Sequence, residues 1–263
     1  MIIAQISDTH VSQNSADRTR RLEDFERTID DINALEEQPD VIVHTGDIAH
    51  DGLPDEYAAA QAILAKASSP VFVLAGNRDN RKNLRQAFSS SGYFKANSEF
   101  IEYAINDFPI KLIMLDTLSS HSNKGDFCQK RAETLKQMVK AESAKPVVVF
   151  AHHPPFEAME CPDPFQFETQ ESMLRMRDAL KAIDGLRAVF CGHVHRFDKG
   201  EVAGILATAM PSTATVLRKG IYPEGMQLRP VYQLHRFDPV LGFISETRIV
   251  EEKQPLRHHG LLQ

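Results

Sequence analysis

The sequence predicts an α/β fold in which stacked β-sheets are covered by helices, and three observations carry that reading. Short apolar runs alternate with amphipathic helical stretches from Ile2 to Phe190. Beyond Cys191 the pattern changes to strand-like runs separated by turn residues, with little helix. The chain has 263 residues, 42% hydrophobic and 25% charged, which supplies a sizeable core and is far from the composition of a disordered polypeptide.

Ile2–Ile6 is the first strand. Leu22, Phe25, Ile29, Ile32 and Leu35 then recur at spacings of three and four, the mark of a helix with one buried face. Val41–His44 is the next strand. Pro54 opens a helix that runs to about Lys66, because a first helical turn has no use for the N–H that Pro lacks. Val71–Leu74, Ile110–Leu115, Val147–Phe150 and Ala188–Phe190 read as further buried strands, with helical patterns at Asn80–Phe88, Arg131–Val139 and Thr169–Ile183. Val202–Ala209, Val231–Phe237 and Phe243–Val250 complete the β-rich end. No repeat or linker interrupts the pattern, so residues 1–252 read as one domain and the polar stretch 253–263, with His258 and His259, as a loosely held tail.

Composition excludes several functions. No apolar run approaches the ~20 residues of a membrane helix. The formal net charge of −6 lacks the basic footprint of a general nucleic-acid binder. Cys128, Cys161 and Cys191 form neither a C-x-x-C pair nor a disulfide framework, and Cys191 reads as strand-end packing. Met1–Ser7 passes directly into strand-like sequence with no basic stretch or cleavage site, so a cytoplasmic protein is expected.

Chemistry concentrates in five segments where a strand runs into a loop at a residue able to bind metal. They are Ser7-Asp8-Thr9-His10, Thr45-Gly46-Asp47-Ile48, Ala75-Gly76-Asn77-Arg78-Asp79, Ala151-His152-His153-Pro154-Pro155 and Cys191-Gly192-His193-Val194-His195. Each alone is common: a turn acid, a capping Asp, a surface loop. Ligands in open α/β sheets gather beyond the carboxyl ends of strands, so these five loops should converge. Two Asp, one Asn and four His suit Mn, Fe, Co or Zn better than Mg or Ca. Seven donors exceed what one transition ion with an open position takes, and suit two ions sharing a carboxylate.

The series D-x-H, G-D, G-N-x-D, H-H-P-P, G-H-x-H, spanning Asp8 to His195, resembles the calcineurin-like metallophosphoesterase superfamily. The resemblance implies a four-layer sandwich, with two packed mixed β-sheets flanked by helices, and a dinuclear centre at the sheet edge. It assigns Asp8, His10, Asp47 and His195 to one metal and Asp47, Asn77, His152 and His193 to the other, with Asp47 bridging. His153 is then a neighbour of the centre and a candidate for meeting substrate. Gly52-Leu53-Pro54-Asp55-Glu56-Tyr57, Asp116-Thr117 and Pro211-Ser212-Thr213 are similar to the class III cyclic-nucleotide phosphodiesterase and glycerophosphodiesterase branch. The implied activity is hydrolysis of a small phosphodiester by in-line attack of a metal-bridging hydroxide, with two divalent or mixed-valence transition ions as cofactors. A phosphomonoesterase or nuclease on the same centre, or a scaffold that keeps the fold without catalysis, are the competing readings. The branch resemblance also suggests a homodimer or higher homo-oligomer through the β-rich end.

One position departs from the family pattern. Arg78 stands where most members carry His after the Asn, a group able to protonate the leaving oxygen. A guanidinium keeps its charge at any working pH and cannot act as that acid, yet it holds phosphate oxygens well. Arg78 is therefore the candidate catalytic and substrate-binding residue, the alternative being an ion pair with Asp79 or another acid. His50, just after the G-D motif, is a second candidate pocket residue or an exposed loop His. The Ser119–Asp126 loop, with His121 and Asn123, reads as a substrate rim or a solvated turn, and Pro154–Pro164, with Phe156, as a stiff wall.

Overall fold

The computed structural model describes residues 1–94, 98–140 and 145–251, so the predicted tail with His258 and His259 lies outside the described residues. In chain order the elements are β1 (Ile2–Ile6), α1 (Arg18–Asn33), β2 (Val41–His44), α2 (Pro54–Leu64), β3 (Val71–Val73), α3 (Arg81–Ala87), β4 (Tyr103–Ile105), β5 (Lys111–Leu115) and α4 (Gln129–Lys140). They continue with β6 (Val147–Ala151), α5 (Gln170–Lys181), β7 (Leu186–Cys191), β8 (Asp198–Val202), β9 (Ile205–Ala209), the short α6 (Glu224–Gln227), β10 (Val231–Asp238) and β11 (Gly242–Ile249). Two expectations change. The Val202–Ala209 run is not one strand but part of the β8–β9 hairpin, which turns at Ala203 and Gly204 with positive φ at both. Sequence reading also missed β4, three residues too short for a period to register.

The strands form a five-stranded sheet ordered β11-β10-β1-β2-β3 and a six-stranded sheet ordered β4-β5-β6-β7-β9-β8. Within each, a parallel centre (β1, β2, β3 in one; β5, β6, β7, β9 in the other) is bordered by antiparallel strands. The alternation of side chains along each strand divides the core into layers. Ile3, Val41 and Val43 meet Leu112, Met114, Val148 and Phe150 between the sheets. Ala4, Ile6 and Ile42 face the other way, onto Phe25, Ile29 and Ile32 of α1 and Tyr57 and Ile63 of α2. Ile113, Leu115 and Val149 likewise cover Leu135 of α4 and Met176 and Leu180 of α5. Helix, sheet, sheet, helix is thus the four-layer arrangement expected, two mixed sheets flanked by helices.

Burial on both faces explains why the central strands read as continuous apolar runs. Parallel β1, β2 and β3 end at one edge of the first sheet, and β6 and β7 end at one edge of the second. No helix among the described residues is long and apolar enough to cross a membrane.

Beside β5 a buried ionic network anchors the second sheet. Asp116 accepts two bonds from Arg81, at 2.7 and 2.8 Å, and one each from the Ile101 and Leu118 N–H groups. Arg131 stacks over Phe100 and bonds Asp126 and the Leu118 carbonyl. Glu102 is buried nearby, and its Oε2 has no partner among the described residues. Burial, together with Asp116 and against the pull of Thr134, Arg131 and Arg81, pushes its carboxyl up to about 7 from an ordinary 4.5. A carboxyl raised in the folded state stabilises below its unfolded value, and that contribution is lost as pH rises through 7. Glu102→Gln should therefore be more stable than the wild type at pH 8 by about 1–3 kcal/mol, with the gap shrinking towards pH 4, as read by urea unfolding at both pH values.

Candidate metal centre

The ends of the parallel strands deliver all seven predicted ligands to one place. Asp8 and His10 follow β1, Asp47 follows β2, Asn77 follows β3, His152 follows β6, and His193 and His195 follow β7. Adjacent loops are laced together by their backbones: Asp8 N–H to Gly46 O at 3.0 Å, His10 N–H to Asp47 O at 2.9 Å, Gly192 N–H to His152 O at 3.1 Å. Local strain marks the same residues. Of the six non-glycine residues with positive φ among those described, five are Asp8, His10, Asp47, His193 and His195. The left-handed region turns each side chain sharply out of its strand direction, and Asp tolerates it better than most residues.

The glycines in the motifs are explained by crowding. A Cβ on Gly76 would stand 2.3 Å from Asp47 Oδ1, and one on Gly192 would stand 2.0 Å from Ser7 Oγ and 2.6 Å from Asp8 Oδ2.

Two sets of donors face the two oxygens of Asp47. On one side, Asp47 Oδ2 lies 3.4 Å from His10 Nε2, Asp8 Oδ1 lies 3.2 Å from His195 Nε2, and the two Nε2 atoms are 3.1 Å apart. Two nitrogens each about 2.1 Å from one cation would show such a separation. On the other side, Asp47 Oδ1 lies 3.5 Å from His152 Nε2. Asn77 Oδ1 lies 3.0 Å from that nitrogen and 2.9 Å from His193 Nδ1.

His152, His153 and His193 also bring ring nitrogens within 4.8 Å of one another. His153 is nevertheless turned away: Nδ1 meets the Thr117 hydroxyl at 2.8 Å and Nε2 the Asn123 carbonyl at 3.1 Å. Buried, with both nitrogens taken, its ring packs against His193 at 4.2 Å and supports it.

Hydrogen bonds fix which nitrogen of each ring faces inward, a device common to metal-bound histidines. His152 donates from Nδ1 to the Thr45 carbonyl at 2.8 Å, and His195 from Nδ1 to the Leu217 carbonyl at 2.9 Å. His193 donates from Nε2 to Gln166 Oε1 at 2.9 Å. The remaining nitrogen of each ring then carries a lone pair aimed at the centre. Asp8 is oriented likewise: Ser7 Oγ and His193 N–H donate to Oδ2, leaving buried Oδ1 without a hydrogen bond.

Electrostatics make the same demand for positive charge. Burial would raise the Asp47 carboxyl, but His152 and His10 hold it down to about 2. Burial similarly opposes ionisation of Asp8, and His195, His152 and His10 outweigh it, keeping the group well below the carboxylate range. His152 is pushed down by burial yet ends raised to about 9, because Asp47 and Asp8 flank it. An orphaned buried carboxylate oxygen, converging lone pairs and buried negative charge together fit two divalent ions.

The supporting bonds around the centre were hidden from sequence reading, including those of residues already singled out. Asp79 is buried and accepts from the Ile48, Ala49 and Gly76 N–H groups and from the Tyr57 hydroxyl at 3.0 Å, tying the G-D loop to the G-N loop. Ser212 Oγ donates to the Asp8 carbonyl at 2.7 Å, and Thr213 pairs with Ser7 through both backbone and side chain. Asp24 of α1 takes the Thr215 N–H and hydroxyl, setting the turn that offers the Leu217 carbonyl to His195. Asp24 could have been found, since it shares a helical face with Thr28 and Ile32. Gln166, in an irregular stretch, carries no such signal.

At the mouth, Arg78 is exposed. Its N–H bonds Asp47 Oδ1 at 2.7 Å, while its guanidinium makes no hydrogen bond or ion pair among the described residues. His50 is half-buried, its ring 5.7 Å from that of His10 and edge-on to it. His121 is exposed, and Phe156 is buried in the core of the second sheet.

The model for calcineurin-like phosphoesterases matches residues 1–197. A probable glycerophosphodiester phosphodiesterase of Arcobacter nitrofigilis is 30% identical over 261 residues, covering 95% of this chain and 93% of its own. A cyclic adenosine monophosphate phosphodiesterase of Pseudomonas aeruginosa is 21% identical over 224 residues, covering 84% of this chain and 79% of its own. Among solved structures, a dimetal phosphatase of Danio rerio shares the fold with a TM-score of 0.70 at 13% identity, covering 95% of this chain and 99% of that one.

Gln166 orients its histidine through a side chain rather than the backbone, so it can be removed cleanly. Gln166→Leu should weaken binding of one Mn equivalent by about 10–100-fold and leave the other unchanged, and Gln166→Glu should retain both, as measured by equilibrium dialysis.

Proposed function

The chain belongs to the calcineurin-like phosphoesterase family, and from that premise we propose that it is a metal-dependent phosphodiesterase acting on a small diester such as a cyclic nucleotide or a glycerophosphodiester. The observation that carries the reading is the Asp47 carboxylate, whose two oxygens face separate sets of imidazole, carboxylate and amide donors. Divalent ions bound there supply Lewis acidity, acidifying water and drawing charge from phosphoryl oxygens. Mixed nitrogen and oxygen donors suit Mn, Fe, Co or Zn.

The chain's own residues do the rest. Asp8, His10, Asp47 and His195 would hold one ion, and Asp47, Asn77, His152 and His193 the other. Asp8 and Asp47 would offset only two of the four charges of two divalent ions, so the centre would attract an anionic diester although the net charge of the chain is −6. Asn77, His193 and His195 are only half-buried, which leaves this face open to substrate. Arg78 holds a phosphoryl oxygen at the mouth, and half-buried His50 lines the same side. His153 acts through His193 and not by touching substrate.

Asp47→Asn should lose Mn-dependent cleavage of bis(p-nitrophenyl) phosphate and the retention of two metal equivalents; full activity without bound metal would sink the scheme. Because Arg78 offers no proton to a departing oxygen, aryl diesters should be cleaved at least ~100-fold faster than alkyl diesters. Arg78→His should narrow that gap, and equal wild-type rates on the two classes would count against the role given to Arg78.

A further inference from the structure

Gln5 is the one polar residue in the apolar run of β1, on the same side as Ile3, which faces the second sheet. Its amide is buried and fully engaged. Nε2 donates to the Thr45 hydroxyl, just past the end of β2, and to the Cys191 carbonyl, at the end of β7, both at 3.0 Å. Oε1 accepts from His235 Nε2 of β10 at 2.9 Å. His235 Nδ1 accepts in turn from the Ser245 hydroxyl of β11 at 2.7 Å. The His235 ring also stacks on Phe190 of β7, with centroids 3.6 Å apart.

Only one arrangement of protons serves this network. The Cys191 carbonyl requires the amide nitrogen on its side, so Oε1 faces His235, which must donate from Nε2 and accept at Nδ1. Burial pushes the His235 imidazole down to about 3, so the ring stays neutral. Both anchor points adjoin metal donors. Thr45 precedes Gly46 and Asp47, and its carbonyl holds His152 Nδ1 at 2.8 Å. Cys191 precedes Gly192 and His193.

Asp47 and Asn77 come from the first sheet, His152 and His193 from the second, so the ion they would share needs the two sheets in fixed register. Ile3, Val43, Leu112 and Phe150 hold the sheets together, but apolar contact is non-directional and does not set one strand end against another. A buried amide and imidazole add little net stability, since an apolar pair of like shape packs as well. A fully paired buried network supplies a single geometry instead. Resting on the two-ion reading above, we propose that Gln5 and His235 are positioning residues for the metal pair. They form a strut between the sheets that sets the distance between Asp47 and Asn77 on one side and His152 and His193 on the other.

The test uses Mn alone as the probe. The double variant Gln5→Leu with His235→Phe exchanges the strut for apolar side chains. It leaves the Cys191 carbonyl its bond from the Met210 N–H and the Thr45 hydroxyl its bond to the Ile6 carbonyl, so the protein should fold and melt close to the wild type. Equilibrium dialysis should nevertheless show affinity for one Mn equivalent weakened by about 10–100-fold. Electron paramagnetic resonance at two equivalents should show isolated Mn where the wild type gives a coupled pair. His235→Gln, which keeps a donor at the place of Nε2, should retain both properties, and His235→Phe alone should not. A double variant that keeps both equivalents and the wild-type spectrum overturns the proposal, as does equal loss in His235→Gln and His235→Phe. A double variant that cannot fold overturns it too, since the strut then serves the fold itself. Wild-type protein that binds no pair of ions would instead bring down the two-ion reading beneath it, so the two failures are told apart.

Discussion

Two carboxylates held out of water without a permanent cation beside them set the terms for the rest of this molecule. Asp8 and Asp47 are buried, and the groups facing them are imidazoles and one amide. Burying such charge unpaired costs several kcal/mol per ion. The polar groups around the centre are arranged to make it tolerable only when positive charge arrives. Histidine tautomers are fixed by the Thr45 and Leu217 carbonyls and by Gln166, so their lone pairs point inward. Burial opposes charge on His152, yet Asp47 and Asp8 raise it above an ordinary imidazole, which is the same pull that favours a cation here.

Holding the donors this way has a backbone cost. Five predicted ligands sit in the left-handed region, on the order of 1 kcal/mol each, which together is a large share of the net stability of a typical domain. The four-layer core offsets it. Ile3, Val43, Phe150 and Phe190 are fully buried between the sheets, so the strand ends from which these turns spring cannot relax sideways. Asp79, Ser212 and Asp24 then pin the loops from outside. Rigid strands and strained ends are parts of one device, since donors must converge before any cation repays their desolvation.

The mouth obeys different physics from the centre. Asn77, His193 and His195 are half-buried and Arg78 is exposed, so solvent and small anions reach this face. The negative charge of the whole chain therefore says little about what the site attracts; local charge does. Arg78 adds a permanent cation to this face, its N–H bonded to Asp47 and its guanidinium exposed. The free guanidinium and the engaged Asp79 are the grounds for the anion-binding role proposed for Arg78.

The sequence by itself determined the layered α/β fold and which seven polar side chains stand at the strand ends. Both are written in local signals: buried strands read as unbroken apolar runs, helices keep a period near 3.6, and each donor follows a strand end in a short motif. Even the glycines of G-D, G-N and G-H were visible, though not their reason, which is contact with Asp47, His152 and Ser7 across the centre. Only the tertiary structure decided that Arg78 stays free of Asp79, that His153 supports His193, and that Gln166 and Asp24 orient donors distant in the chain. A hydrogen bond between Gln166 and His193, or between Asp24 and Thr215, joins residues 27 and 191 positions apart. Nothing in local pattern encodes such a pairing; it exists once packing has brought the two loops together.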